Sequence, residues 1–270
     1  MKPQGVSLIW YVHALRRWST GRRFAGQPRL FYRDSQTLVA WRPAQTDQPA
    51  ERLVVVFQSA RRRNLHPDRL DFAEIAADGG RNHVLFVCDR HVSWFSRPGQ
   101  RDLITRIIRN FAATRGIETI WAIGNSMGGY GAILFSNALS LARVVAFAPQ
   151  LNLSETVICR PNWDRYRPSL NEQTERDLVP ILAEAPGRTN IVYGDQDEDD
   201  LLHYGHLRET LSDAPDVRIV IVRGKDHRVA SWLNERGQLA DVVNALWRDD
   251  FQALDDCSRK LETPLEYMPA

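Results

Sequence analysis

At 270 residues, with 43% hydrophobic and 25% charged side chains, the chain has the make-up of an ordinary folded globular protein. Its 35 basic and 33 acidic residues leave a formal charge of +2, too weak a field to argue for nucleic acid as the default partner. Collagen, intrinsic disorder and a disulfide-dense scaffold are excluded. Lys2, Lys225 and Lys260 are the only lysines, so nearly all the positive charge is arginine. That bias follows either from gene base composition or from arginines that fork onto polar or anionic ligands.

The chain opens on an apolar stretch, Val6 to Leu15, interrupted by His13 and closed by Arg16 and Arg17, with no small-x-small cleavage site. It reads as structure rather than as a signal peptide. No run approaches the roughly 18 apolar residues of a membrane-spanning helix. Cys88, Cys159 and Cys257 are odd in number and widely spaced, which fits neither a disulfide framework nor a zinc pattern. The expected setting is cytoplasmic.

Two short runs, Leu30 to Arg33 and Thr37 to Trp41, flank Asp34 and Ser35 and predict a hairpin. Six β-branched runs follow: Leu53–Phe57, Val84–Val87, Thr119–Ile123, Val144–Phe147, Asn190–Tyr193 and Val217–Val222. Most are apolar throughout, the mark of strands covered on both faces. Helical periodicity fills the intervals at Asp68–Ala77, Gln100–Thr114, Met127–Ser140, Leu201–Ser212 and Ala230–Trp247. Alternation of this kind predicts one domain over 1–270, with a doubly wound, mostly parallel sheet. Residues 151–187 are too long for an ordinary connection and carry Pro161, Trp163, Tyr166, Pro168 and Pro180. They are expected to form a cap or lid insertion.

Directly after the run ending at Ile123 comes Gly124-Asn125-Ser126-Met127-Gly128, and then a helix. A serine on so sharp a turn needs neighbours without side chains two residues before and after, and Gly124 and Gly128 meet that need. Gly131 and Ala132 let the helix approach the sheet. A phosphate-binding loop is the rival, but neither G-x-G-x-x-G nor Gly-Lys-Ser/Thr is present. A purely packing role for the glycines also stands.

On these residues the chain resembles the α/β-hydrolase superfamily over roughly Leu53 to Trp247, and an α/β-hydrolase fold is what the resemblance implies. The superfamily's order is nucleophile, acid, histidine. Gly194-Asp195-Gln196-Asp197 looks like its acid turn, with the carboxylate three after the glycine, and implies Asp197; Asp195 is the rival. Arg223-Gly224-Lys225-Asp226-His227 looks like its histidine loop and implies His227. The implied oxyanion donors are the backbone of Met127 and, from Gln58-Ser59-Ala60-Arg61, Ala60 with Ser59 beside it. That loop departs from the His-Gly of many relatives and leaves the second donor open.

Arg61, Arg62 and Arg63 follow that loop, and Arg160, Trp163, Arg165, Tyr166 and Arg167 fall in the expected cap. Arg61, Trp94, Trp163 and Tyr166 are the candidate substrate contacts, with Phe95 beside Trp94. Solvated turns and ordinary packing are the alternatives. His203 and His206 are spaced like a metal pair but lack a third ligand, and Asp195 to Asp200 do not fit an EF-hand loop. No metal or cofactor is expected. The implied activity is a Ser-His-Asp esterase acting on a small polar acyl ester, an acylated sugar being one candidate. An acyltransferase on the same residues and a non-catalytic binding module are the alternatives. The expected partner is the small ester, with neither nucleic acid nor membrane.

Overall fold

A strand that is apolar at every position must be covered on both sides, and β3 (Leu53–Phe57) is buried along its whole length. The computed structural model describes residues 27–45, 50, 52–62, 69–155, 157, 164–211, 214 and 216–269. The stretch Val6 to Leu15, together with Arg63, His66, Cys159, Arg160 and Trp163, lies outside the described residues. Among the described residues the other strands are β1 (Arg29–Arg33), β2 (Thr37–Arg42), β4 (His83–Asp89), β5 (Ile120–Asn125), β6 (Arg143–Phe147), β7 (Arg188–Gly194), β8 (Val217–Val222) and β9 (Leu265–Pro269).

All nine join one sheet in the order β1-β2-β4-β3-β5-β6-β7-β8-β9. The strands from β4 to β8 in this order are parallel, while at the two edges β1 pairs antiparallel with β2, β2 with β4, and β9 with β8. The predicted hairpin is β1–β2, and its turn is held by Asp34, whose carboxylate accepts from the Gln36 and Thr37 N–H groups at 2.7 and 2.6 Å. The order reverses at β3, with β4 on one side and β5 on the other. Open α/β sheets bind ligands outside the carboxyl ends of their strands at such a switch point. Here that point lies beside Phe57 and Gly124, which are register partners.

The period-2 geometry of the strands divides the core in two. Val55, Leu85, Ala122, Val144 and Ile191 face a layer containing α2 (Gln100–Ala113) and α3 (Met127–Leu134). Val54, Phe86, Ile123, Val145 and Val192 face the other, which contains α1 (Ala73–Ala77), α7 (Val229–Glu235), α8 (Leu239–Arg248) and α9 (Phe251–Leu261). The remaining helices are α4 (Ser136–Leu139), α5 (Val179–Ala183) and α6 (Glu198–Thr210).

Two helices predicted as continuous are interrupted. The run from Met127 breaks at Phe135, and the run from Ala230 breaks before α8, where Gly237 takes φ 67°. The first predicted helix is short, and α1 begins only at Ala73. The segment between β6 and β7 has a tied base. Asn152 bridges Asp177, the Leu153 N–H donates to the Arg176 carbonyl at 2.7 Å, and the Leu178 N–H donates to the Leu151 carbonyl at 2.9 Å. Leu151, Leu153, Leu178 and Leu182 are buried beneath it. No helix among the described residues is long and apolar enough to cross a membrane.

Candidate active site

Ser126 stands between the end of β5 and the start of α3 with φ 56° and ψ −122°, a conformation that costs a non-glycine residue about 1–3 kcal/mol. Its neighbours hold it there. The Ser126 N–H donates to the Phe147 carbonyl at 2.8 Å, and the Ser126 carbonyl accepts from the Tyr130 N–H at 3.0 Å. A Cβ on Gly124 would lie 2.1 Å from the Gly128 carbonyl oxygen, and one on Gly128 would lie 2.1 Å from that of Phe57. The turn therefore has room for glycine only at the two positions flanking the serine. Met127, as the first residue of α3, has an N–H with no acceptor inside the helix, at the end where the helix dipole is positive.

The serine hydroxyl meets the ring of His227, with Oγ 3.1 Å from Nε2. The other ring nitrogen, Nδ1, lies 2.8 Å from Oδ1 of Asp200. This arrangement selects the tautomer with its proton on Nδ1 and its lone pair facing the serine. Burial alone would lower the His227 pKa, but the bond and charge of Asp200, with the fields of Asp197 and Asp199, outweigh it and the net shift is upward. Burial raises the Asp200 carboxyl above its ordinary range, against the opposing pull of His227.

The acid bonded to the histidine is thus Asp200 and not Asp197. Asp197 is the N-cap of α6, and its carboxylate accepts from the Asp199 and Asp200 N–H groups, both at 3.0 Å. With the cap at 197, the first turn carries Asp200 to the buried side facing His227. Asp195 latches the histidine loop instead, accepting from the Gly224 N–H at 2.6 Å and from Arg223 at 3.3 Å. Asp197, Asp200 and His227 bring ligand-type atoms within 4.8 Å of one another. The bonds just described already engage Nδ1, the Asp200 Oδ1 and the Asp197 Oδ1, so the group reads as a capped acid–imidazole pair. His203 and His206 do not converge. His206 Nε2 lies 3.0 Å from Asp177 and 3.1 Å from Asn152, pinning α6 to the base of the β6–β7 segment.

Gln150 is a further neighbour of the serine that sequence reasoning missed. Its Nε2 donates to Ser126 Oγ at 3.1 Å and to the Ala148 carbonyl at 3.3 Å. The carbonyl sets the amide orientation, since a flip would put oxygen against oxygen. The only sequence signal was its place three residues beyond the strand beside β5.

Ser59 is tied to Asp71 through both its N–H (3.2 Å) and its hydroxyl (2.9 Å), so its N–H already has an acceptor. Ala60 opens the next short turn and lines the cavity of about 290 Å³ above Ser126. Arg61, Trp94, Arg165 and Tyr166 share that lining, Arg61 exposed and Trp94 buried. Trp94 meets Tyr166 edge to face at 5.5 Å, and Arg165 lies 4.6 Å over the Tyr166 ring. Phe95, in contrast, is a core residue, packed on Phe57 and Phe135 and filling the space that Gly131 leaves. Val92, Trp94 and Phe95 all have positive φ, and the buried Asp89 carboxylate braces their loop by accepting from the His91, Ser93 and Phe95 N–H groups.

No protein-family model matches the chain, and no curated protein matches it in sequence. Its backbone does match solved structures. Apo esterase 2 of Thermogutta terrifontis aligns at TM-score 0.60 and 16% identity over 88% of this chain and 97% of that one. The capsule O-acetyltransferase of Neisseria meningitidis serogroup A aligns at 0.56 and 12%, over 84% and 99%. XC6422 of Xanthomonas campestris, described as an a/b serine hydrolase without lid, aligns at 0.52 and 17%, over 84% and 95%. At such identities the likeness concerns architecture, and together with the strand order it shows that this chain has the α/β-hydrolase fold.

Proposed function

We propose that the protein is a serine acyl hydrolase acting on small polar esters, with Ser126 as nucleophile, His227 as general base and Asp200 as the acid that orients the imidazole. One observation carries this reading: the unbroken contact from Ser126 Oγ through His227 to Asp200, with the serine held on a strained turn. A binding module has no need of that strain or of that tautomer.

Ser126 Oγ attacks the ester carbonyl carbon as its proton passes to His227 Nε2, and the carbonyl oxygen takes on the negative charge. The Met127 and Ala60 N–H groups are the proposed donors to it. Collapse expels the alcohol, which takes the proton from His227, and leaves an acyl-serine. Water, giving a proton to the same nitrogen, then attacks the acyl carbon; the bond from that carbon to Oγ breaks, freeing the acid, and His227 returns the proton to Ser126. The Gln150 amide donates to Oγ, a second contact beside that of the imidazole, and so helps to position the nucleophile. A cavity of about 290 Å³ sits at the small end of ligand sites, which supports a small ester. The candidate contacts are Arg61, Trp94, Tyr166 and, outside the described residues, Trp163. The odd number and wide spacing of Cys88, Cys159 and Cys257 support a reducing, cytoplasmic setting.

A second reading, acyl transfer to a hydroxyl acceptor, is favoured by the likeness to a capsule O-acetyltransferase and uses the same residues. The test of both is labelling by a serine-reactive fluorophosphonate, expected for the wild type and lost in Ser126→Ala. A short-chain ester assay with and without added polyol acceptor then separates release of acid from transfer. Equal labelling of wild type and Ser126→Ala would overturn the proposal.

A further inference from the structure

His203 lies one turn beyond Asp200 on α6 and lines the same cavity as Ser126. Its side chain is 1% exposed, and neither ring nitrogen meets a hydrogen-bond partner. Buried polar groups are normally paired within the protein. An imidazole left unpaired on both nitrogens, against a cavity beside a nucleophile, has the character of a group whose partner arrives with the substrate.

The chemistry of that partner follows from the ring. Burial holds the His203 pKa down, to about 4, against the opposing field of Asp199. The ring is therefore neutral near pH 7, with one N–H donor and one lone pair. A carboxylate or phosphate offers only acceptors and an ammonium only donors, so each satisfies one nitrogen at most. A hydroxyl both donates and accepts, and neighbouring hydroxyls serve both nitrogens. Asp197, Asp199 and Asp200 at the same end of the cavity disfavour an anion there as well.

We propose that His203 is a specificity-determining residue that recognises hydroxyl groups flanking the ester, so that the substrates are partial esters of polyols or sugars. This rests on the serine hydrolase reading above, and the experiment separates the two. Glyceryl monobutyrate and ethyl butyrate share an acyl group and differ in hydroxyls. The wild type is expected to prefer the glyceryl ester in kcat/KM. In His203→Leu that preference falls about tenfold, the worth of one neutral hydrogen bond, chiefly through KM, because the contact is made in ground and transition states alike. His203→Gln, which keeps a donor and an acceptor, restores part of it. Since the imidazole bonds to nothing in the protein, the Tm of His203→Leu is expected to hold or rise, whereas a structural histidine would lower it.

Wild-type protein without the preference overturns the inference with no variant needed. So does an unchanged preference in His203→Leu and His203→Gln, or a fall in both esters together with a lowered Tm. Wild-type protein that neither labels with fluorophosphonate nor cleaves either ester overturns the underlying reading instead.

Discussion

Replacing Asp200 by asparagine tests the assignment of the acid most directly. Asp200 is 1% exposed and 2.8 Å from Nδ1 of His227. Its amide analogue fills the same space but removes the charge that stabilises the imidazolium and no longer enforces the tautomer. In a serine triad this change costs about 10⁴-fold in kcat, or about 5.5 kcal/mol of barrier. The control is Asp197→Ala, because the Asp197 carboxylate bonds to two helix N–H groups and not to the ring. Losing a helix cap costs about 1 kcal/mol of stability, a Tm shift of about 2–4 °C for a domain of this size, with kcat/KM within about fivefold. Steady-state kinetics on one short-chain ester and thermal melts of both variants provide the readout. A 10⁴-fold loss in Asp197→Ala with near-normal rates in Asp200→Asn would show that the wrong carboxylate has been assigned.

The pH profile offers an independent check. The base must be neutral to accept the serine proton, and the Asp200 bond raises its pKa above 6.5. Accordingly kcat/KM is expected to fall as pH drops through a midpoint above 6.5, and an equal midpoint in Asp200→Asn would contradict this cause. Gly128→Ala places a Cβ 2.1 Å from the Phe57 carbonyl oxygen, with backbone on both sides. It is expected to destabilise the fold by on the order of 3 kcal/mol, visible in denaturant melts, and to abolish labelling of Ser126. Gln150→Met keeps the volume but removes the donor to Oγ, so kcat should drop about tenfold with little change in KM. His203 titrates at about 4 when folded, against 6.5 when exposed. Between those values the unfolded chain binds a proton that the folded chain does not, so stability present above pH 6.5 is lost toward pH 4. At about 1.4 kcal/mol per pH unit the loss approaches about 3 kcal/mol, and His203→Leu should flatten that slope in pH-dependent melts.

The parallel strands were legible because burial on both faces demands unbroken apolar runs, and β3 and β8 coincide with theirs to the residue. The elbow was legible because steric need at Gly124 and Gly128 writes itself into residue type. The acid was not, because counting from Gly194 ignores where the next helix begins. The clue was there in principle: an aspartate followed by three acidic residues is a strong N-cap, which commits Asp197 to the backbone and frees Asp200. Gln150 and His203 escaped for another reason, since both are brought to the serine by strand order and helix phase and carry no local pattern of their own. The helix α9 had a readable stripe in Phe251, Leu254, Cys257 and Leu261, whereas β9 is a short edge strand ending at a proline, which weakens any strand signal.

The segments leading to Asp200 and His227 are bound to each other independently of the serine. Gly194 lets the Lys225 carbonyl come so near that a Cβ would sit 2.1 Å away, the Gln196 N–H donates to that carbonyl at 2.8 Å, and Asp195 holds the Gly224 N–H. The ties run through main chain and the Asp195 carboxylate, none of which depends on the side chains of Trp94, Tyr166 or His203. The serine, in contrast, connects to this unit among the catalytic groups only through the imidazole. On the proposed reading, divergence of substrate preference has a mechanical licence: exchanges at Trp94, Tyr166 and His203 leave the main-chain ties that align Asp200 and His227 in place. Loss of Gly194, although it touches no substrate, should disable every such variant at once.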